Sequence, residues 1–344
     1  MSVGAGERGG RMRAVLLTDI NAVSVEEVPE PDPGGRALLR VRRAGLCGTD
    51  LKIASGQIPV RVPLIIGHEM VGTVLAAGAR GLVPEGSRVL VDPGIACGHC
   101  ELCLRDRGYL CRQGGLMGRD TDGGFAELVA VDELQLHPLP QTIGDDAAAL
   151  LQVLATCVHA ETMLEVFPGQ SAVVVGLGVA GQLHLQLLRA RGITTIVGVT
   201  RSAAKRELAA KLGASATASP GEAASVVAEA TGGRGADLVV EAAGTADTLA
   251  QSIELAGSGA TILVFGTTTI AERLPTYQLY YKELTLLNPR AARPRDYDRA
   301  IQLCAAGALR LEPLLTATFP LEEAPSAFAA CREPSQLKVA LDVS

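Results

Sequence analysis

The sequence predicts an α/β protein of two domains, one a doubly wound parallel sheet and the other β-rich. Three observations carry this expectation. The chain has 344 residues, a length that suits two cores better than one. Roughly the first 150 residues break into short apolar runs punctuated by Gly and Pro, the texture of strands joined by irregular loops. From about residue 170 apolar strands alternate with amphipathic helical stretches, the pattern of a parallel sheet with helical crossovers.

The elements follow in order. Strands are expected at Ala14–Leu17, Ala37–Arg43, Val71–Ala76 and Arg88–Asp92. Val173–Gly176 reads as a buried strand. Val179–Arg191 places Leu183, Leu187 and Leu188 at helical spacing. A second strand, Ile196–Thr200, and a second helix, Ala203–Leu212, come next. Further strands read at Asp237–Ala242, Ala260–Phe265 and Leu284–Leu287. An amphipathic helix near Tyr297–Ala306 and a last strand at Lys338–Val343 close the chain.

Composition excludes several classes. Hydrophobic residues make up 48% and charged residues 20%, enough apolar material for a real core. The net charge of −6 argues against a nucleic-acid surface. Trp is absent and aromatics are 3%, so no extensive stacking surface is expected. No apolar run reaches transmembrane length, and the stretch Ala147–Ala160 is interrupted by Gln152, Thr156 and His159, so no membrane span is expected. Residues 1–11 lack an apolar signal core and are expected to form a flexible arm. A cytoplasmic setting is the resulting expectation.

Gly176-Leu177-Gly178-Val179-Ala180-Gly181 is G-x-G-x-x-G, preceded by an apolar strand and followed by an amphipathic helix. Such a turn cradles a dinucleotide pyrophosphate. One Gly turns the chain, one bares the backbone and one packs helix on strand. The alternative is an ordinary strand–turn–helix. The second strand ends at Thr200-Arg201-Ser202, with Lys205 and Arg206 one turn on. An NAD site usually places an acid there for the ribose 2′-hydroxyl. Here the acid is missing and cations follow, which points to a 2′-phosphate and so to NADP in preference to NAD. Arg201 could equally lie on a solvated surface with NAD accepted.

Eight cysteines are present, and four cluster as Cys97-x2-Cys100-x2-Cys103-x7-Cys111. Four thiolates at this spacing suit one tetrahedral zinc in a closed, structural site. An iron–sulfur cluster is the competitor, but its usual spacings differ. His99 inside the loop is redundant and is expected to be exposed.

Cys47-Gly48-Thr49-Asp50 and Gly67-His68-Glu69 are unremarkable singly. With the four-Cys loop, the G-x-G-x-x-G and the late Tyr281-Lys282-Glu283-Leu284, they make the sequence resemble the zinc-containing medium-chain dehydrogenases from about Met12 to the end. The nearest branch is that of the polyol, threonine and glucose dehydrogenases. The resemblance implies a GroES-like catalytic domain over residues 12–153 and 290–344, with a structural zinc lobe at 94–112. It implies a Rossmann coenzyme-binding domain over 154–289.

It also implies roles. Cys47 and His68 would hold a catalytic zinc, with Glu69 beside it. Asp50 would fix the His68 tautomer. Thr49 would hold the substrate hydroxyl and begin a proton relay. Lys52 stands where many relatives carry a relay His. Gln152 stands where the polyol branch carries Glu and simple alcohol dehydrogenases carry Cys, and as a neutral ligand it would leave a more Lewis-acidic metal. Cys157 is a possible thiolate ligand but reads better as a packed core thiol. Gly266 would border the cofactor. Arg290 would touch the cofactor or an anionic substrate group, or simply face solvent.

The implied function is hydride transfer between NADP(H) or NAD(H) and a secondary alcohol or ketone of a polyol, sugar or related metabolite. A homo-oligomer, dimer or tetramer, is expected. Two rivals remain: a zinc-free quinone or enoyl reductase, and a non-catalytic nucleotide-binding sensor on the same fold.

Overall fold

The computed structural model describes residues 10–267 and 274–344. The expected arm at 1–11 therefore lies almost wholly outside the described residues. The chain divides into two compact units, Met1–Gln152 with Leu315–Ser344, and Val153–Leu314.

The first unit is built on a mixed sheet in the order Leu136–Pro138, Arg88–Val91, Glu69–Ala76, Ala37–Leu46, Lys338–Asp342 and Leu315–Pro320, with Leu128–Val131 also against Ala37–Leu46. A smaller sheet pairs Arg11–Asp19 with Ala22–Pro29 and with Leu64–Ile65. Alternation explains the central strand. Ala37, Leu39 and Val41 are buried while Arg40 is exposed. These inward residues meet Val74, Val89, Phe125, Phe328 and Val339 in one core.

The second unit is a parallel sheet in the order Ala216–Ala218, Thr195–Val199, Ser171–Val175, Ala236–Glu241, Ala256–Val264 and Thr285–Leu287. Ser171–Val175 is buried throughout, as a strand covered on both faces must be. The order reverses direction at Ser171–Val175, whose neighbours are reached by crossovers to either side. A crevice at the carboxyl ends of strands at such a switch point is where a ligand binds in this architecture.

The expected helix at 179–191 runs Val179–Ala190, and the last strand runs Lys338–Asp342. The expected helix near Tyr297 begins earlier, at Pro294, with Pro in the first turn and Asp296 accepting from the Arg293 backbone N–H. This helix packs within the second unit: Asp296 is bonded to His159 at 2.8 Å. The chain thus leaves the second unit after Leu314, whereas the sequence reading places the return at 290. Ala22–Pro29, Leu315–Pro320 and the helix Leu151–Glu161 were not among the expected elements.

Candidate active site and metal centres

The four clustered cysteines lie on the loop between the paired strands Gly94–Ile95 and Gly115–Leu116. All are free thiols. Their sulfurs stand 3.8 Å apart for Cys97 and Cys103, 3.5 Å for Cys100 and Cys103, and 3.8 Å for Cys100 and Cys111. Sulfurs around one tetrahedral zinc, each about 2.3 Å from it, stand about 3.8 Å apart. The cage therefore fits a zinc ion without rearrangement. The backbone N–H of Cys97 points at the Cys111 sulfur and that of Cys100 at the Cys97 sulfur, both at 3.4 Å; the first of these helps to lower the Cys111 pKa. His99 is exposed and turns Nδ1 to the Cys97 carbonyl, outside the cage.

The second constellation is assembled from three strands and one short helix. Cys47 precedes the helix Gly48–Ala54, where Asp50 accepts from the Cys47 backbone N–H at 2.8 Å. The other Asp50 oxygen meets His68 Nδ1 at 3.1 Å. Asp50, His68 and Glu69 are all buried. Burial opposes a charge on His68, but the Asp50 carboxylate and the Cys47 thiol outweigh it and raise its pKa. With Nδ1 committed to Asp50, Nε2 is the nitrogen left for a ligand. Ligand atoms of Cys47, His68 and Glu69 all lie within 4.8 Å of one another. Thr49 Oγ1 stands 3.8 Å from the Cys47 sulfur. Lys52 is half-buried in the last turn of the same helix.

Gly67 explains itself by geometry. Its φ is +99°, and a Cβ there would overlap the Phe125 ring.

One participant is absent from the sequence reading. Lys338 donates from Nζ to Glu69 Oε2 at 2.5 Å and to the Leu46 carbonyl at 3.1 Å. Glu69 Oε1 is buried without a hydrogen-bond partner. A bare carboxylate oxygen beside a thiol and an imidazole is a position that a cation would satisfy. Gln152 is buried in the first turn of Leu151–Glu161. The segment leading to it reaches the site: a Cβ on Gly45 would press on both Glu69 Oε2 and the Ala149 carbonyl. Cys157 is fully buried, its sulfur 4.0 Å from the Ala180 carbonyl, as the core reading expected.

In the second unit, the turn after Ser171–Val175 has the form the fingerprint demands. A Cβ on Gly181 would collide with the Gly176 carbonyl, while nothing lies within 4 Å of where one on Gly178 would be. Gly178 thus bares the backbone, and Val179 and Ala180 open the helix. At the next strand end, Ser202 caps the helix Ala203–Lys211 by accepting from the Lys205 N–H. Arg201 is exposed. Arg206 is engaged: its Nη1 donates to the carbonyls of Thr200 at 2.7 Å and Arg201 at 2.9 Å. Gly266 donates to the Glu241 carbonyl at 2.9 Å, and a Cβ there would strike Gly244. Arg290 is exposed beyond the strand Thr285–Leu287. Lys282, noted in the late motif, caps a helix end: its Nζ donates to the carbonyls of Ile253, Glu254 and Ala256.

Comparison with known families places this geometry. Residues 33–141 match the alcohol dehydrogenase GroES-like domain and residues 179–306 the zinc-binding dehydrogenase domain. The chain belongs to the zinc-containing medium-chain dehydrogenases. It is 32% identical to 2-dehydro-3-deoxy-L-galactonate 5-dehydrogenase of Pseudoalteromonas atlantica, over 86% of this chain and 87% of that one. It is 29% identical to sorbitol dehydrogenase of Halalkalibacterium halodurans, over 96% and 99%. A solved zinc-binding dehydrogenase from Sinorhizobium meliloti, bound to NADP, superposes with a TM-score of 0.89 at 34% identity, covering 97% of this chain and 99% of that one. The dehydrogenase is thus a zinc-dependent oxidoreductase with a GroES-like domain and a Rossmann domain. The zinc-free reductase and the sensor are not favoured. Among the described residues, no helix is long and apolar enough to cross a membrane.

Proposed function

We propose that this dehydrogenase moves a hydride between NADP(H), in preference to NAD(H), and a secondary alcohol or ketone of a polyol, sugar or related hydroxylated metabolite. The observation that carries the reading is the half-buried Cys47 set against the buried Asp50, His68 and Glu69, with one Glu69 oxygen bare. Cys47 and His68 would hold the catalytic zinc, with Glu69 and Gln152 as the remaining candidates. The four-Cys loop would hold the structural one. A bound zinc supplies the Lewis acidity that lets a hydroxyl lose its proton near neutral pH. The dinucleotide supplies the hydride chemistry.

The chain's own groups do the rest. Asp50 keeps His68 in one tautomer and orientation. Thr49 takes the substrate's hydroxyl proton and passes it outward, with Lys52 at the outer end of that path. Lys338 neutralises Glu69 and keeps one of its oxygens turned aside. Gly176, Gly178, Val179, Ala180 and Gly181 receive the pyrophosphate on bare N–H groups. Thr200, Arg201, Ser202, Lys205 and Arg206 form the adenosine end, where the absence of an acid favours a 2′-phosphate. Gly266 borders the cofactor, and Arg290 contacts the cofactor or an anionic substrate group. The relatives' names, a sorbitol dehydrogenase among them, support the substrate class, and the NADP-bound neighbour supports the cofactor.

The first unit acts as the catalytic domain and the second as the coenzyme domain, in a cytoplasmic homo-oligomer. Tyr277, Tyr280 and Tyr281, exposed by 73%, 83% and 73%, precede the edge strand Thr285–Leu287 and support self-association. Sedimentation at several concentrations checks this last point.

The decisive experiment is a panel of polyols, sugars and simple alcohols offered to the zinc-loaded enzyme with each dinucleotide. Turnover of a secondary polyol hydroxyl, lost in Cys47→Ser, is expected. Turnover of simple primary alcohols alone would reject the substrate class.

A further inference from the structure

Gln182 follows the last glycine of the phosphate-cradling turn, in the first turn of Val179–Ala190. It is wholly buried. Its Nε2 donates to the Lys205 carbonyl at 2.9 Å and faces the Leu177 carbonyl at 3.5 Å. Its Oε1 is buried with no partner. An apolar side chain would fill the same space without stranding a buried oxygen, so packing alone gives no reason for an amide here.

The bond to Lys205 gives one. Lys205 is held from both sides, its N–H by the Ser202 hydroxyl at 3.4 Å and its carbonyl by Gln182. One partner lies on the helix that cradles the pyrophosphate, the other at the start of the helix that receives the adenosine end. The Gln182 side chain links them. A dinucleotide spans both places at a fixed separation, so a tie between them removes an ordering cost from binding. Burial of the half-covered Lys205 lowers its pKa, as fits an ammonium held near a protein surface rather than extended into water.

We infer that Gln182 is a positioning residue for the dinucleotide, acting by fixing Lys205 relative to the phosphate turn. The inference rests on the reading of Thr200–Arg206 as the adenosine end of the cofactor site.

The test uses Gln182→Leu and Gln182→Met, the second keeping side-chain length if the first fails to fold. Melting temperature, Kd for NADPH and for NADH, and KM and kcat are measured on the zinc-loaded enzyme. A melting temperature equal to or above that of the native protein is expected, since a stranded oxygen is removed. Kd and KM for the dinucleotide should rise by up to about tenfold, as the cost of ordering Lys205 returns to the binding step, with kcat unchanged. Unchanged dinucleotide affinity in a folded variant overturns the inference. So does a lowered melting temperature with kcat and affinity falling together, the mark of a merely structural amide. Each variant is compared with native for the same dinucleotide. A native preference for NADH would therefore count against the 2′-phosphate reading, while the ratio of variant to native affinity would still test Gln182 by itself.

Discussion

Lys338 and Glu69 form a buried ion pair at 2.5 Å, although 269 residues separate them in sequence. The pair sets the electrostatics of the candidate metal centre. Glu69 lies buried beside Cys47, and Lys338 balances its charge there. Burial opposes the charge on Lys338, but the attraction of Glu69 outweighs it and raises the Lys338 pKa, so the ammonium persists.

Removing one partner should expose the cost of the other. Lys338→Met leaves the Glu69 carboxylate buried and uncompensated, and a loss of about 3–5 kcal/mol is expected. Lys338→Arg keeps the charge and should lose less. Chemical denaturation measures both. Equal stability of Lys338→Met and native would show that the pair is dispensable.

Metal content separates the two centres. Two zinc ions per chain are expected, and Cys100→Ser should lower the melting temperature more than it lowers turnover per folded molecule. A closed thiolate cage contributes its binding energy to folding. A Cys100→Ser protein with native melting behaviour would contradict a structural role. One zinc per chain, with Cys47 and His68 free in a fully occupied crystal, would remove the catalytic centre.

Cofactor choice is expected to turn on Arg201. Arg206 is bound to the carbonyls of Thr200 and Arg201, so the exposed Arg201 and the half-buried Lys205 are left to meet a 2′-phosphate. One charge-assisted contact is worth about 1.5–3 kcal/mol. A preference for NADP of at least about tenfold in kcat/KM is therefore expected, narrowing in Arg201→Ala. Equal use of NAD by the native enzyme, with no selective loss in the variant, would reject this assignment.

Acid stability should depend on Asp296. Burial would raise its pKa, but the hydrogen bonds from His159 and Arg293 prevail and hold it at about 2, below the ordinary 3.8. A depressed carboxylate contributes stability that is complete above its unfolded pKa and fades as pH falls through the folded one. Asp296→Asn should therefore be less stable than native by about 2 kcal/mol at pH near 6. The gap should close between about pH 4 and pH 2. A gap independent of pH would mean that shape, not charge, is lost.

The sequence made some of this legible and hid the rest for physical reasons. The glycine turn and the four-Cys loop are local, so spacing alone exposes their geometry. The pairing of Asp50 with His68 is implied by the family resemblance and not by spacing, because each motif is unremarkable by itself. Lys338 is not: a single Lys opening the strand Lys338–Asp342 reads as a solvated end, and only the sheet order brings it to Glu69. Gln182 was hidden likewise, since a polar residue after a fingerprint reads as a helix surface. The return point at 290 misled because the next helix, Pro294–Ala305, is tied to His159 by a contact that periodicity does not reveal.

The first unit is interrupted by the second, and the strand that carries Lys338 lies after the interruption. On a ribosome, which releases residues from the N-terminus onward, Cys47, Asp50, His68 and Glu69 emerge long before their balancing cation. For most of synthesis the Glu69 carboxylate has no reason to leave water. The second unit, contiguous from Val153 to Leu314, can fold in the meantime. The candidate metal centre is therefore expected to be completed only after the strand Lys338–Asp342 has been made. A chain stopped short of the final strand would carry the candidate ligands without the ammonium that balances Glu69.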